Sequence, residues 1–215
     1  MAAPGKHTSL AEQAYDALEA RWVTLQLPPG SAVQEKDLAE GVGIGRTPVR
    51  EAVQRLASHG LLQVLPRKGL VVAPLRRSEL GQVLEARRVL ERLLVVKAAE
   101  RATSDQRQAL ALLATQFARG DIRLERFMHL DRLLDNLLAE ACANRYVVSA
   151  LAPLHAHCRR LWFLQREEMD LQRATELHAG LATAVADAEG SGAIRALNGI
   201  IAILEQQLGA LDVIS

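Results

Sequence analysis

The segment GIGRTPVREAVQRLASHGLLQVLPRKGLVVAP, residues 43–74, carries an unusual concentration of positive charge. From Arg46 to Lys68 it contains five Lys/Arg residues and one acid, Glu51, so its net charge is 5 − 1 = +4. The whole chain has 26 basic and 25 acidic residues and a net charge of only +1. A basic patch within a nearly neutral chain predicts a polyanionic partner for this segment.

The same segment predicts a helix, a tight turn and a β-hairpin. Pro48 falls in the first turn of the helix, where its missing N–H costs nothing, and Gly60 supplies a C-terminal cap. The apolar runs LLQVL and LVVAP are typical of short strands, and PRKG between them is a turn signal. Upstream, apolar residues at helical spacing predict two further helices. A winged helix-turn-helix domain over 8–75 follows, with helices over 9–25, 35–41 and 46–59.

From Arg77 onward the strand signals stop and amphipathic helical segments replace them. Short breaks such as Gly190-Ser191-Gly192 separate the segments, and short connections between long helices predict an antiparallel bundle. The fold class is therefore mainly α, with a second, all-helical domain of about six helices over 77–212. The predicted segments are 78–101, 104–118, 121–142, 145–166, 170–189 and 192–211.

The third predicted helix and the hairpin offer the residues that could read a nucleic acid. Arg46 and Arg50 are four residues apart, so they share one face near the helix N-terminus, where free N–H groups and the helix dipole favour phosphate. Thr47 can bind phosphate or contact a thymine methyl group. At the hairpin tip, Gly69 permits close backbone approach and Lys68 can flank the minor groove. One helix in the major groove and a wing beside it predict binding to double-stranded DNA.

Helical projection places several polar residues inside the apolar stripes of the bundle. Arg87 and Glu91, four residues apart, either pair with each other or leave Arg87 to bind the carboxylate of a ligand. Asp131 lies inside the next stripe with Asp135 on its shoulder, and His178 lies in the middle of another. Two carboxylates and an imidazole can bind a divalent metal such as Zn, Ni or Mn. The alternatives are a hydrogen-bonded core histidine and an aspartate that pairs with an arginine.

The stretch LPPGSAVQEKDLAEGVGIGRTPVREAVQRLASHGLLQVLPRKGLVV resembles the N-terminal domain of GntR-family transcriptional regulators. LEARRVLERLLVVKAAERA, at the start of the bundle, resembles the FadR-type ligand-binding domain, also called FCD. The resemblance implies a dimeric regulator that responds to an effector. Gly45 departs from the pattern, because the family usually has a capping serine there. Carried over residue by residue, the family's DNA contacts are Lys36, Arg46, Thr47, Arg50, Lys68 and Gly69.

The resemblance also bears on the metal. Metal-binding FadR-type domains usually carry Asp-x-x-x-His on one helix and two further histidines on the last helices. Asp131 and His178 match the first and third positions, while Asp135 replaces the second. The fourth position falls in ALNGIIAIL, which offers only Asn198. His155 could stand in, but we do not expect it to be central to the stripe of its helix.

These features predict a transcriptional regulator, with repression as its expected action, that binds a near-palindromic operator as a homodimer. Arg87 and Glu91 would line the site of a small, carboxylate-bearing organic acid. Two cysteines without a metal-type spacing and no export signal or membrane segment favour the cytoplasm. One alternative is a metal-dependent helical-bundle enzyme, although the sequence contains no Glu-x-x-His motif. The other is a constitutive DNA-binding protein without an effector.

Overall fold

The computed structural model describes residues 9–65, 69–120 and 122–210, and the chain divides between Leu75 and Arg76 into two compact units. Lys68, and the predicted domain limits at residues 8 and 212, lie outside the described ranges. The N-terminal unit contains three helices and three strands within those ranges. They are α1 (Leu10–Val23), β1 (Ala32–Val33), α2 (Glu35–Val42), α3 (Arg46–Ser58), β2 (Leu62–Leu65) and β3 (Gly69–Val72).

The N-terminal unit is a winged helix-turn-helix, which confirms the prediction. The helix α1 packs against α3 through fully buried side chains, among them Trp22 of α1 and Leu56 of α3. The strands form an antiparallel sheet in the order β1-β3-β2, in which Leu65 lies opposite Gly69. The sequence did not indicate β1, because two residues are too few to show an alternating pattern.

Gly43 sets the turn between α2 and α3. Its φ of 68° lies in the left-handed region, which a residue without a Cβ adopts at little cost. In this conformation the Gly43 N–H reaches the carbonyls of Ala39 and Glu40, and the Ile44 N–H reaches the Ala39 carbonyl at 3.3 Å. These bonds satisfy the last carbonyls of α2. The chain can therefore begin α3 at Arg46, three residues after the cap.

The C-terminal unit is all-helical within the described residues, and all six predicted segments form helices. The central helix is α4, which packs against four of the others, α6, α7, α8 and α9. Side chains that α4 turns inward therefore meet residues from several helices at once. No helix among the described residues is both long and apolar enough to span a membrane. The helices are α4 (Arg77–Arg101), α5 (Ser104–Phe117), α6 (Leu124–Cys142), α7 (Arg145–Leu164), α8 (Leu171–Ala186) and α9 (Gly190–Ala210).

Polar side chains fix the helix ends of this bundle. Thr103 and Gln106 form a reciprocal capping box at the start of α5. Arg107, one residue further on, donates to the carbonyl of Ala99 in α4 and to those of Val185 and Ala186 in α8, at 2.8–3.1 Å. These carbonyls belong to last turns, which have no partners within their own helices. One arginine of α5 thus holds the ends of two neighbouring helices.

Candidate functional site

The exposed face at the start of α3 presents three of the predicted DNA contacts. Arg46, Thr47 and Arg50 are exposed within the first turns of the helix. The Arg50 Nε donates to Glu35 Oε2 of α2 at 3.1 Å, and the two side chains are 66% and 34% exposed. Surface ion pairs contribute about 0–1 kcal/mol, so a phosphate or a base edge can displace Glu35 at small cost. The ion pair therefore orients the Arg50 guanidinium on this face, and a partner can still replace Glu35.

Lys36 and Gly69 complete the described part of this surface. Lys36 is exposed on α2, and its Nζ lies 3.8 Å from Glu40, a loose pair one helical turn away. Gly69 is exposed at the start of β3 with a φ of 75°, and an added Cβ would meet nothing within 4 Å. The Gly69 backbone is thus open on this side, and a partner can approach it closely.

Arg55 has a different role from the other basic residues of α3. It lies nine residues after Arg46, which at about 100° per residue puts it on the opposite side of the helix. Its guanidinium stacks on the Tyr15 ring of α1, 4.0 Å from the centroid, and the Tyr15 hydroxyl contacts His59 Nδ1 at 2.9 Å. Cation–π stacking of this kind stabilises the packing of α1 on α3. Part of the positive charge in the segment is therefore structural.

In the helical unit, Arg87 and Glu91 pair with each other. The Arg87 Nη2 donates to Glu91 Oε1 at 2.6 Å, and the two residues are 8% and 4% exposed. Burial opposes the charge on Glu91, but Arg87 and His155 outweigh it and lower its pKa to about 2. Within the described part of the chain, Arg87 Nε and Glu91 Oε2 have no hydrogen-bond partner. The pair is formed, yet each member keeps one unused polar atom.

Arg159 of α7 bridges the two aspartates of α6. Its Nε donates to Asp131 Oδ2 at 3.0 Å and its Nη2 donates to Asp135 Oδ2 at 2.6 Å. Burial and the neighbouring carboxylate raise the pKa of Asp131, while His178 and Arg159 act in the opposite direction and lower it overall. The pKa of Asp135 lies well below its usual range, because His155 and Arg159 outweigh its burial. Both aspartates are thus held as carboxylates.

His155 of α7 links the two pairs. Its Nε2 lies 2.6 Å from Glu91 Oε1 and its Nδ1 lies 2.9 Å from Asp135 Oδ2. A carboxylate can only accept, so both ring nitrogens donate and the ring is an imidazolium. Burial alone would lower the pKa of His155, but Asp135 and Glu91 outweigh it and raise the pKa to about 9. The expectation that His155 is not central to its stripe was therefore wrong.

His178 of α8 packs in an aromatic environment. Its ring centroid lies 4.9–6.0 Å from those of Phe117, Phe127 and Trp162. The Nδ1 is 2.6 Å from the Ala174 carbonyl, which can only accept, so this nitrogen carries a proton. This bond aims the Nε2 at Asp131 Oδ1, 3.3 Å away. His178 is thus a hydrogen-bonded core residue that also touches the charge cluster.

One small cavity joins all five polar residues that helical projection placed inside the bundle. Its volume of about 20 Å³ holds a single water molecule and is too small for an organic acid in this conformation. Arg87 and Glu91 of α4 line it together with Leu94 and Val95. The rest of its wall comes from α6, α8 and α9: Asp131, Leu134, Asp135, Leu138, His178, Leu181, Leu197 and Ile200.

Sequence reasoning missed Arg159 of α7 and named His155 only as a possible metal ligand off the stripe, not as a cation of the cluster. His155 and Arg159 are four residues apart, and both fall on the stripe that contains Leu151 and Cys158. Projecting α7 in the same way as α6 would have found them. Arg160 was also missed; it is fully buried, and burial lowers its pKa to about 10.

The side chains around Asp131 and Asp135 do not fit a divalent metal as they stand. Such a site needs three or four donors whose lone pairs converge on one point. Here the Arg159 guanidinium binds both carboxylates and brings its own positive charge to the place between them. Among the described residues, no group of three or more His, Cys, Asp or Glu side chains is arranged to hold a metal ion.

Comparison with known proteins assigns the chain to a family. Residues 10–72 match the family described as bacterial regulatory proteins of the gntR family, and residues 82–202 match the FCD domain. The chain belongs to the GntR family of transcriptional regulators. The FCD match covers more than half of its length. The description of the first match is of regulatory proteins.

Relatives of this GntR-family protein are transcriptional regulators as well. It is 36% identical over 78 residues to an HTH-type regulator of Agrobacterium vitis, a match that covers 36% of the chain and 46% of the relative. It is 32% identical over 132 residues to McbR of Escherichia coli, which covers 60% of the chain and 59% of McbR. The repressor RspR of Escherichia coli is 24% identical over 189 residues, which cover 86% of the chain and 83% of RspR. The chain thus spans about half the length of the Agrobacterium vitis relative.

A solved structure of Escherichia coli McbR/YncC is similar in fold, with a TM-score of 0.75 and 26% identity. The similarity covers 93% of this chain and 98% of that one. Both units of the GntR-family protein therefore have counterparts in one known regulator.

We predict that the charge cluster makes stability fall at alkaline pH. A pKa raised in the folded state contributes stability that is complete below the unfolded value of about 6.5 and is lost as pH rises through about 9. The melting temperature should therefore fall between pH 7 and pH 9.5. His155→Gln should lower the melting temperature at pH 7 and flatten its decline. Equal slopes in both proteins would show that His155 is not charged.

Proposed function

We propose that this protein is a sequence-specific DNA-binding regulator in which residues 8–75 bind DNA and residues 77–212 bind an effector and form a homodimer. The observation that carries the proposal is the exposed face of Arg46, Thr47 and Arg50 at the start of α3. In a helix-turn-helix this second helix of the pair enters the major groove with its N-terminal residues facing the bases. Family membership supports the same role.

The start of α3 is also suited to a phosphate. Gly45 is the N-cap of α3 and has no side chain that could cap the helix. The first N–H groups of the helix therefore receive no hydrogen bond from the N-cap residue's side chain. These groups and the positive end of the helix dipole favour an anion, and Arg46 adds a full charge beside them. The wing would place Lys68 and Gly69 along the adjacent groove. A helix in one groove and a wing in the next would fix the register on the operator.

For the effector we propose a small molecule with a carboxylate that binds at Arg87. The guanidinium is buried, and its Nε has no partner among the described residues, so it can accept a second anion. The cavity beside it is too small for an organic acid, so binding must displace Glu91 or separate the helices around α4. Such a rearrangement is what a regulator needs, because an effector acts only through states that it binds unequally.

The dimer could form through the exposed face of α4. Val89 and Leu93 are 70% and 42% exposed, although large apolar residues four apart on a helix normally pack against something. Glu85 and Arg92 are exposed on the same face. In an antiparallel pair of α4 helices about a two-fold axis, each acid would meet the partner's base. We propose this helix pair as the centre of the homodimer interface.

The remaining parts of the proposal follow from DNA binding. A two-fold dimer fits a near-palindromic operator. The simplest action of such binding is to block transcription. The protein would act in the cytoplasm, where the DNA is. The divalent metal that the sequence predicted at Asp131, Asp135 and His178 is not part of this proposal, because the Arg159 guanidinium already binds both carboxylates.

We predict that Arg46→Ala and Arg50→Ala each cost about 1–3 kcal/mol of operator binding, roughly 5- to 150-fold in affinity, because they remove charge from the reading face. Arg55→Ala is the matched control, since it removes the same charge from the opposite face of α3. It should leave operator affinity nearly unchanged and lower the melting temperature. Fluorescence anisotropy on an operator fragment measures the affinities, and a thermal melt of each variant measures its stability. Equal losses in all three variants would contradict a specific reading face.

We predict that Val89→Asp and Leu93→Asp convert the dimer to a monomer, because each would bury an unpaired charge in the interface. Leu112→Asp on α5 is the control, as its side chain is similarly exposed at 58% but lies on another helix. Sedimentation velocity at micromolar concentration gives the oligomeric state. A dimer that persists in both α4 variants would place the interface elsewhere.

We predict that organic acids which raise the melting temperature act through Arg87. Their stabilising effect should disappear in Arg87→Ala and persist in Arg88→Ala. The latter removes an exposed arginine of the same helix, α4, that pairs with Glu205 of α9. The same acids should change operator affinity in the wild type. Acids that stabilise both variants equally would make Arg87 purely structural. If no acid in a broad panel stabilises the wild type, the result favours the alternative of a constitutive DNA-binding protein without an effector.

A further inference from the structure

Arg159 lies where the two aspartates of α6 would otherwise repel each other. Asp131 and Asp135 are four residues apart on one helix, and both side chains are more than four-fifths buried. Like charges at this spacing destabilise a helix, and burial strengthens the repulsion. Arg159 binds one oxygen of each with separate nitrogens, at 3.0 and 2.6 Å. A bridging cation of this kind does electrostatically what a metal ion does between two carboxylates.

Six charged residues of the cluster balance one another. The carboxylates of Glu91, Asp131 and Asp135 contribute −3, and Arg87, Arg159 and His155 contribute +3, so these six groups sum to 0. A proton on the His178 Nε2, which faces Asp131 Oδ1, would add a further +1. A divalent ion added to this buried set would leave an excess of +2. Uncompensated charge in a protein interior is strongly unfavourable. The arrangement therefore disfavours a metal through its charge as well as through its geometry.

We propose that Arg159 is the built-in cation of the helical unit, occupying the place of a divalent metal between Asp131 and Asp135 and making the unit independent of metal. The same geometry implies a latent metal site beneath the guanidinium. Without it, Asp131, Asp135 and His178 would remain on the wall of the small cavity that they share. The Ala174 carbonyl already anchors the Nδ1 of the His178 ring, as outer partners do in metal sites. This inference does not depend on the proposed effector or operator.

The first test uses the wild-type full chain. After treatment with a chelator, the protein should keep its melting temperature, and MnCl2 or ZnCl2 added at a small molar excess should not raise it. Metal analysis of the untreated protein should find no stoichiometric ion. One metal per chain whose removal lowers the melting temperature, and whose binding Asp131→Asn abolishes, would overturn the proposal.

The second test removes the guanidinium. Arg159→Met keeps much of the side-chain volume without the charge, so it should have a lower melting temperature than the wild type. MnCl2 at a hundredfold excess over its Kd should raise that temperature by about 5–10 °C. The double variant Arg159→Met, Asp131→Asn should lose this response, which excludes binding at other histidines. Arg159→Lys keeps the positive charge but loses the fork that reaches both aspartates, so it should fold with a lower melting temperature than the wild type and ignore metal.

Two outcomes of the second test would contradict the proposal. An Arg159→Met protein that folds and shows no response to metal would mean that Arg159 does not hold a cation site. An Arg159→Met protein that stays unfolded even with metal would contradict the proposal as well, since the ion has then failed to replace the guanidinium.

Discussion

Three carboxylates buried in one helical bundle impose the condition that the rest of the C-terminal unit satisfies. An isolated charge in a protein interior is so unfavourable that it must be paired or lose its ionisation. Here the pairing crosses the bundle: α4 supplies Glu91, α6 supplies the aspartates, and α7 supplies His155 and Arg159. The helices cannot slide past each other without separating these pairs. The charge cluster thus fixes the register of helices whose apolar stripes alone would allow several.

This constraint also makes the interior of the bundle suited to control by a ligand. Removing one member of a paired, buried set leaves another charge uncompensated, and the cost is typically 3–5 kcal/mol. A ligand that exchanges partners within the set would therefore shift the balance between two arrangements of the helices. Arg87 and Glu91 lie on α4, which packs against four other helices, so a change there reaches most of the bundle.

In the N-terminal unit, the environment decides what each arginine does. Arg46 and Arg50 lie on the solvent face of α3, while Arg55 on its other side stacks on Tyr15. The charge count of the segment treats these residues as equal, although only the first two are placed to meet a partner. The weak ion pair between Arg50 and Glu35 orients the Arg50 side chain and leaves it available for a DNA partner.

Features that belong to a single helix could be predicted from the sequence, and features that depend on how the elements pack together could not. Helical periodicity predicted the helices and the five inward-facing polar residues of the bundle, because burial of a stripe is a local property of one helix. It missed β1, a strand of two residues, whose pairing with β3 is set by the tertiary fold. It also could not identify the partners: that Asp131 meets Arg159 rather than a metal depends on the register between α6 and α7. No single-helix projection contains that register.

The protonation state of His155 tests this account most directly, because the neutrality of the cluster requires a positive charge there. The measurement is the nitrogen-15 NMR spectrum of the histidine side chains in the full chain at pH 7.5, with His155→Gln to assign the signal. The account predicts two protonated ring nitrogens with similar chemical shifts, since both face carboxylates. A neutral ring, with one protonated and one bare nitrogen, would leave the cluster with a net negative charge and would contradict the account.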